Sequence, residues 1–445
     1  MAAKALGNDS AGILYTDRRD FYLSPNMTKE LWPTATPFTT IISNRSQISI
    51  ADPDFKMFEH RSGWIKQQVA ANASSGWTSN GGPGGTISGL AVNALTGLAT
   101  SVDSSYIGLQ FEIWDATLAT YKGTCFVTAV GSGVITIKSL GNPGASDFIN
   151  ADIVSGDILQ VIGNVSGEGT EAPEAWSDDL SVVYNSPQIF KTPVEVTGTL
   201  YNMALRGYSN ELARLRMEKQ FEHQMQKERA FLFGVRSGGI GVSGYTDYHG
   251  GTGTSGAHQL DANGNVSRTT MGIVSALQRY GVASGDSQNK FTIDAASYAY
   301  SNFVDDMEKV FQYIPTSGSK TALVGAKALS YWSKVDATNG FVKKSGFQVN
   351  LESTQRDSLG FNFRTLETPH GILKLVYTPA LRGPWANRMV IIDESDVSHV
   401  VFRPMVYKTN IKTDNAYDGV KDLYMSDEGV GLTMLEKHSL WTINQ

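Results

Sequence analysis

The chain of 445 residues carries 43 acidic and 37 basic side chains, which gives a formal net charge of −6. This balance excludes a protein that binds nucleic acid or anionic lipid through a surplus of basic residues. Cys125 is the only cysteine, which excludes an intrachain disulfide and a thiolate metal cluster. The N-terminal residues lack the pattern of a secretion signal, and no apolar run approaches the length of a membrane span. We therefore expect a soluble, cytoplasmically made protein of roughly two to three domains.

The first part of the chain predicts an arm, a short helix and extended strands. Residues 1–27 are small, polar and aperiodic, and a short apolar stretch with two prolines follows, so we assign residues 1–46 to an arm and a short helix. Residues 47–59 alternate with a period near two, which is typical of extended chain. Residues 60–100 are rich in Gly and Ser and are predicted to form loops.

A series of short β signals predicts an inserted module at residues 101–165. No stretch with helical periodicity interrupts these signals, which lie at 109–114, 124–130, 134–140 and 157–162. Short strands at close spacing predict a small β-barrel or sandwich. An acidic exit loop, GEGTEAPEAWSDD, follows the module.

Residues 182–199 are again rich in β formers. We expect this segment to run beside the strand at 47–59, because both border the same insertion. Two antiparallel strands would then lead out to the module and back. Such a ribbon is marginal in water by itself, so it needs a neighbouring surface.

Residues 209–234 predict one long helix, without proline or internal glycine. Gly234 is expected to end it in the left-handed conformation. The apolar residues form two narrow stripes, which are Leu212 with Leu215, and then Met217, Phe221, Met225 and Leu232. A helix in a globular core would carry a broader apolar arc, so we predict a strut held along two narrow seams. An ordinary amphipathic helix of one domain is the alternative.

The C-terminal half mixes helices with strands. Helical spacing at 271–280 and 294–313 precedes a buried strand at 321–325 and a further helix. Strand signals then dominate at 361–378, 389–402 and 429–443. The absence of a regular βαβ rhythm predicts an α+β fold.

No motif predicts an active site. Residues 239–244 match G-x-G-x-x-G by letter, but they follow a helix and open none, so they predict no dinucleotide site. His249 and His258 flank a Gly-rich loop near Asp247, where exposed loop residues are the favoured interpretation over a metal site. The acidic run 393–396 could bind a cation or supply paired carboxylates, although a polar turn explains it without function. We therefore predict no catalytic, cofactor-binding or metal-binding residues.

Four stretches together resemble the major capsid proteins of tailed bacteriophages, which share the Hong Kong 97-like shell fold. They are TPFTTIISN near the start, the exit EGTEAPEAWSDDLSVVYNSPQIFKTPVEVTGT, the helix end ERAFLFG, and the tail from FRPMVYKTN to KHSLWTI. The resemblance extends from about residue 28 onward and is to members with an additional β module near the extended loop.

The resemblance implies a division of the chain beyond the arm. Residues 47–100 and 166–200 would be the outgoing and returning sides of the extended loop, with the β module at 101–165 between them. Residues 201–267 would form the peripheral domain with its spine helix, and residues 268–385 the axial domain. Residues 386–445 would supply the C-terminal strands of the peripheral domain. Some members of the family crosslink their subunits through a Lys–Asn bond; Lys56 and Lys66 lie in the corresponding loop, but no partner Asn and acid are identifiable.

The resemblance also implies partners and a location. We expect hexamers and pentamers in an icosahedral shell, a separate scaffolding protein and a portal protein, with a decoration protein as a further candidate partner. Packaged double-stranded DNA would be enclosed without sequence-specific binding. The protein would be assembled in the host bacterial cytoplasm and reside in the virion.

Three hypotheses from different classes result. The first is a self-assembling shell protein without catalysis, and the second is a carbohydrate- or receptor-binding virion surface protein that works through the β module. The third is a hydrolase that uses carboxylates near Asp393. Closed shells seen by electron microscopy, glycan binding, or turnover abolished by Asp393→Asn would distinguish them.

Overall fold

A computed structural model describes the greater part of the chain from residue 36 to residue 444. The described residues are 36–60, 68–71, 74–75, 85–88, 90–93, 104–115, 117, 119–131, 134–140, 157–169, 180–202, 211–237, 246–247, 251–252, 261–284, 288–298, 300–313, 318–338, 355–356, 362–411 and 418–444. The predicted arm at 1–27 and the G-x-G-x-x-G letters at 239–244 lie outside them.

Six α-helices occur in the described part of the chain. They are α1 (Pro37–Arg45), α2 (Gly198–Asn202), α3 (Glu211–Phe233), α4 (Ile273–Tyr280), α5 (Tyr300–Phe311) and α6 (Ala326–Thr338). The strands in the first half are β1 (Gln47–Ser49), β2 (Phe55–Glu59), β3 (Gln68–Ala71), β4 (Ser74–Ser75), β5 (Gly85–Ser88), β6 (Leu90–Asn93), β7 (Leu109–Trp114), β8 (Tyr121–Gly131), β9 (Val134–Ser139), β10 (Ile158–Asn164), β11 (Ser181–Asn185) and β12 (Gln188–Thr197). Those in the second half are β13 (Thr246–Asp247), β14 (Gly251–Thr252), β15 (Lys290–Asp294), β16 (Ser319–Val324), β17 (Gln355–Arg356), β18 (Asn362–Thr368), β19 (Gly371–Tyr377), β20 (Arg388–Ile392), β21 (Val397–Lys408), β22 (Gly419–Leu432) and β23 (Ser439–Asn444).

A four-stranded sheet, in the order β1-β21-β22-β12, carries the long helix α3 on one face. β12 and β22 pair antiparallel from Gln188↔Glu428 to Thr197↔Gly419. β21 pairs antiparallel with β22 on the other side, and the short β1 adds parallel to β21. Pro193 interrupts the donor row of β12, which suits a strand at the edge of a sheet.

A seven-stranded mixed sheet forms the second body, in the order β15-β23-β20-β16-β19-β18-β17. Helices α5 and α6 cover one face, and α4 packs on the other. Of the strands in residues 386–445, β21 and β22 lie in the sheet beneath the long helix, whereas β20 and β23 lie in the seven-stranded sheet. β20 and β23 are almost continuous apolar runs that are buried on both faces, so they lie inside the seven-stranded sheet.

An eight-stranded sheet, in the order β4-β5-β9-β8-β7-β10-β3-β6, is the predicted β module. A hairpin, in which β3 pairs with β6 and β4 pairs with β5, closes it. The base of the hairpin pairs with β10 through β3, and its tip pairs with β9 through β5. The hairpin therefore pairs with β10 on one side and with β9 on the other. This pairing closes the sheet into a barrel.

The closing hairpin precedes residue 101, where we expected the module to begin, so the strands of its sheet start at residue 68. Residues 68–93 are rich in Gly and Ser and show little strand signal of their own. Within this stretch, β3 pairs with β10 and β5 pairs with β9. Inside the barrel, Cys125 is fully buried among Phe111, Ile113 and Leu159, and burial raises its pKa to about 12. The cysteine is therefore a packing residue.

One apolar core joins the two larger sheets. Phe231 and Leu232 at the end of α3 pack with Phe38 of α1 and with Leu323 of the seven-stranded sheet. Gly234 follows the helix without the predicted left-handed conformation. A Cβ at Gly234 would lie 2.4 Å from the carbonyl oxygens of both Ala230 and Thr270. Glycine is needed there because the backbones approach closely.

Candidate assembly surfaces

The face of α3 that packs on the four-stranded sheet is a row of polar side chains, which we call the polar seam. Arg216, His223 and Lys227 contact Asp422, Ser426 and Glu428, respectively, on β22. From Arg216 to Lys227 the helix advances about 17 Å, and from Asp422 to Glu428 the strand advances about 20 Å. Because these lengths are similar, successive residues of the helix face successive residues of the strand. The seam explains why the apolar stripes of this helix are narrow.

At one end of the seam, Arg216 meets a buried carboxylate. Its Nε and Nη2 atoms donate to Asp422 Oδ2 at 3.0 and 2.7 Å, and the guanidinium also lies over the ring of Tyr407. The Tyr407 hydroxyl and the backbone N–H of Asn410 donate to the same carboxylate. Burial acts to raise the pKa of Asp422, but these donors outweigh it, and the pKa is lowered. Asp422 is therefore an anion that joins α3 to both strands of the β21–β22 hairpin.

His223 lies in the middle of the seam and is fully buried. Its Nδ1 lies 3.0 Å from Thr192 Oγ1, and its Nε2 lies 3.0 Å from Ser426 Oγ. Burial, aided by the nearby charge of Lys227, lowers the pKa of His223 to about 4. The imidazole is thus neutral at neutral pH and links β12, α3 and β22.

At the other end, a chain of contacts passes through Glu428. Lys227 Nζ donates to its carboxylate at 3.1 Å, and His399 Nε2 lies 2.8 Å from Oε2. Ser43 of α1 lies 3.0 Å from His399 Nδ1. Burial would raise the pKa of Glu428, but the His399 hydrogen bond and the Lys227 charge prevail and lower it. The chain connects α1, β21, β22 and α3.

Glu228, next to Lys227, caps the N-terminus of α1. Its carboxylate accepts the backbone N–H of Phe38 at 3.0 Å and that of Thr39 at 2.7 Å, and it also accepts the Thr39 hydroxyl. Thr36, which occupies the local cap position, makes no side-chain capping bond. A residue 189 or 190 positions away in the chain therefore satisfies the free donors of this helix.

Strands β2 and β11 form the antiparallel ribbon that was predicted between residues 47–59 and 182–199. Its inner face is anchored on the body. Asn185 Nδ2 donates to the carbonyls of Val430 and Met271, and Glu59 accepts the backbone N–H of Met434 at 2.6 Å. The body thus supplies the neighbouring surface that a two-stranded ribbon requires.

The outer face of the ribbon is apolar and open. Phe58 is 66% exposed, and Leu180, which directly precedes β11, is 55% exposed. Val182 is paired with Phe58, and Lys56 lies over the ring of Tyr184. A contiguous apolar strip at an accessible ribbon is typical of a surface that another protein covers.

The acidic run 393–396 forms the turn between β20 and β21, and its carboxylates have local partners. Asp393 Oδ1 accepts the N–H and the hydroxyl of Ser395. Glu394 pairs with Arg45 at 2.9 Å, and Asp396 pairs with Lys437 at 2.7 Å. These contacts explain the acidic residues 393–396 as parts of a polar turn.

The other candidate metal ligands belong to the Gly-rich segment that follows α3 in the sequence. His249 and His258 lie outside the described residues. Within the described ranges, no three or more His, Cys, Asp or Glu side chains are grouped so that they could hold a metal ion. No described helix combines the length and apolar character required to cross a membrane.

Sequence reasoning missed the roles of His223, Glu228 and Glu428. Each is a polar residue in a segment with weak periodicity, and each gains its partners from segments distant in the chain. The only available signal was the narrow apolar face of the helix, which indicated that polar groups must be packed against it.

Comparisons with known proteins identify the family. The family model of the SU10 major capsid protein matches residues 23–421. Comparison with curated proteins gives no match.

Several solved structures are similar. The capsid of a native GTA particle is 9% identical, with 96% of each chain covered and a TM-score of 0.40. The mature capsid of bacteriophage PhiM1 is 9% identical, with 64% of this chain and 80% of that chain covered and a TM-score of 0.37. A virus-like particle from Pyrococcus furiosus is 11% identical over 60% of this chain and 82% of that one, with a TM-score of 0.32.

The family match covers the long helix, the ribbon, the barrel and most of both sheets. It confirms the resemblance to tailed-phage major capsid proteins, for which we expected a Hong Kong 97-like shell fold from the sequence. The chain belongs to the SU10 major capsid protein family and is a phage major capsid protein that forms the shell of the head.

Proposed function

We propose that the outer face of the β2–β11 ribbon is a contact between neighbouring copies in this shell. The observation that carries the proposal is Phe58, which is 66% exposed on a ribbon whose inner face is firmly anchored. An anchored ribbon presents its apolar strip at a constant position, so a neighbour can cover it with little ordering cost. Interfaces of this obligate kind bury about 2,000 Å² or more.

The remaining parts of the chain have proposed roles in the same assembly. The residues around α3 and the four-stranded sheet correspond to the peripheral domain, those around α4 to α6 to the axial domain, and the barrel to an insertion in the extended loop. The copies would form hexamers and pentamers, because head-to-tail contacts close into rings and shells. The protein would act without catalysis.

Further partners follow from the same proposal. A separate scaffolding protein and a portal protein would take part in assembly in the host bacterial cytoplasm, with a decoration protein as a further candidate partner. Packaged double-stranded DNA would be enclosed without sequence-specific binding, because a chain with net charge −6 offers no overall attraction to phosphates.

The experiment replaces Phe58 with Asp. Because this side chain is exposed, the variant should fold normally but should lose closed shells and capsomers in sedimentation and electron microscopy. Tyr201→Asp is the matched control, since Tyr201 is 56% exposed on α2 and lies away from the ribbon. Normal shells from Phe58→Asp would contradict the proposal.

The barrel supports carbohydrate binding as a second candidate function. Trp114 and Tyr121 form an edge-to-face pair on its outer surface at 5.4 Å, and Trp114 Nε1 donates to Glu112 at 3.2 Å. Half-buried aromatic rings beside a carboxylate suit the apolar and hydroxyl faces of a sugar ring. A glycan array probed with wild-type particles and with Trp114→Ala particles would test this function.

A further inference from the structure

The outer side of strands β7, β8 and β10 carries side chains that the barrel core does not use. Phe111, Cys125 and Leu159 belong to that core, so the residues that alternate with them point outward. The outward residues that concern us are Gln110, Glu112, Trp114, Thr124, Phe126 and Gln160, all of them partly exposed. We call this surface the barrel face.

A row of hydrogen-bonding side chains crosses the middle of the barrel face. The strand register places Gln160 beside Glu112, and Glu112 beside Thr124, on three neighbouring strands. Gln110 lies two residues further along β7, and its amide makes no hydrogen bond with a described residue. Amide and hydroxyl groups both donate and accept hydrogen bonds, as the hydroxyl groups of sugars do. The row can therefore bind a series of sugar hydroxyl groups.

Aromatic rings lie at both ends of this row. Trp114 and Tyr121 form a pair at one end, and Phe126 lies opposite Gln110 at the other end. Trp114 and Gln110 are four residues apart on one strand, which corresponds to about 14 Å. The apolar faces of sugar rings pack well on aromatic rings. One monosaccharide cannot contact rings so far apart, whereas a chain of sugars can.

The charges of the barrel face favour a neutral ligand. Glu112 is the only acidic residue on strands β7 to β10, and Lys138 is the only exposed basic one. The carboxylate lies in the central row, while Lys138 lies beyond Phe126 on β9. A central carboxylate accepts hydrogen bonds from hydroxyl groups but repels an acidic sugar.

We propose that the barrel face binds a neutral, linear oligosaccharide that extends from Trp114 to Phe126. This inference rests on the carbohydrate binding described above as the second candidate function. It adds the charge and the length of the ligand, and it assigns Gln110, Gln160 and Phe126 to the site.

A protein partner is the rival occupant of this surface. It would account for the apolar side chain of Ile162, which is 51% exposed on β10. It would not account for the central row, because the centres of protein interfaces are depleted in charged side chains such as Glu112. The oligosaccharide accounts for both the row and the rings.

The experiment titrates soluble sugars into wild-type particles and follows binding by saturation-transfer NMR. The neutral probes are linear hexasaccharides of glucose, mannose, galactose and N-acetylglucosamine, together with the four monosaccharides. The acidic probes are hexasaccharides of hyaluronan and of galacturonic acid. At least one neutral hexasaccharide should bind about tenfold more tightly than its monosaccharide, because only the longer chain reaches both ends of the row. It should also bind more tightly than both acidic probes.

Variants at the two ends separate the length of the site from its existence. Trp114→Ala should weaken binding of the monosaccharide and of the hexasaccharide. Phe126→Ala and Gln110→Ala should each weaken only the hexasaccharide, by about tenfold. These side chains lie outside the barrel core, so the variants should assemble and unfold at the wild-type temperature. Tyr201→Ala is the control, since this exposed aromatic residue of α2 lies outside the barrel and should affect neither ligand.

Other results overturn the proposal. Equal affinities for monosaccharide and hexasaccharide would reject the extended site, as would unchanged hexasaccharide binding in both Phe126→Ala and Gln110→Ala. Tighter binding of the acidic probes would reject the neutral ligand. In these cases a loss of binding in Trp114→Ala would still retain the carbohydrate function. If no sugar binds, the carbohydrate function and this inference fail together, and the role in the shell is unaffected.

Discussion

At the residue scale, the protein is held together by buried polar groups whose partners are distant in sequence. Glu228 caps a helix that starts 191 positions earlier, and His399 connects Glu428 with Ser43. Each of these buried groups has a compensating donor or counterion, which is the condition under which burial of charge is tolerated. Such groups stabilise one arrangement of α1, α3 and the sheet because any other leaves them unpaired.

Replacement of Glu228 by Ala should lower the free energy of unfolding by about 2 kcal/mol, because it removes the cap and leaves two backbone donors buried. Glu228→Gln should cost less, since its amide oxygen can still accept one of these bonds. Urea unfolding of both variants measures the difference. Equal losses would show that the contact depends on packing volume and not on the cap.

His223 should make the protein sensitive to acid. Burial and Lys227 lower its pKa to about 4, so the unfolded chain, with a value near 6.5, binds the proton first. The free energy of unfolding therefore falls as the pH drops from about 6.5 to about 4.

Glutamine at position 223 retains a donor and an acceptor but does not titrate. The stability difference between about pH 7 and about pH 4.5 should be smaller in His223→Gln than in the wild type. Part of the difference should remain, because burial also lowers the pKa of His438 to about 4. An unchanged pH dependence would remove His223 from this role.

At the scale of elements, α3 shows how a long helix can be buried without a broad apolar face. Its polar seam meets β22, while Leu212, Met225, Phe231 and Leu232 supply the buried apolar contacts. Met217, which we grouped with Met225 from the sequence, is 57% exposed. The predicted stripe that grouped Met217 with Met225 is therefore wrong, because only Met225 is buried against the sheet.

The two methionines provide a matched test of this packing. Met225→Asp should lower the free energy of unfolding by at least about 3 kcal/mol, because it buries an unpaired carboxylate. Met217→Asp, on the same helix, should change it by less than about 0.5 kcal/mol. Thermal and urea unfolding measure both changes, and similar effects at the two positions would contradict the packing described for α3.

At the scale of the whole molecule, the barrel has its own core and closes through its own hairpin. Its core residues form a cluster separate from the one that joins the two larger sheets. An insertion of this kind should be removable without loss of the remaining fold.

Deletion of residues 68–164 with a short Gly/Ser bridge should leave a protein that unfolds cooperatively. Deletion of 101–165, the boundary taken from the sequence, should give a less soluble protein that unfolds less cooperatively. This deletion removes β9 and β10 and leaves the closing hairpin unpaired. Calorimetry and solubility compare the two. Loss of cooperative unfolding in the first deletion would show that the body depends on the barrel.

The sequence by itself determined the elements whose signal is local. The long helix, the strands from Leu109 to Asn164, the ribbon and the α+β class follow from periodicity and from the turn residues between segments. The resemblance to phage capsid proteins also depended on the order of these segments, and the family match confirms it.

Only the tertiary structure decided the long-range arrangement. It placed β20 and β23 in the seven-stranded sheet, closed the barrel with Gly/Ser-rich residues, and gave Glu228 and His223 their partners. The physical reason is that strand pairing and buried hydrogen bonds depend on the meeting of segments far apart in the chain. Local sequence patterns do not show which distant segments will pair.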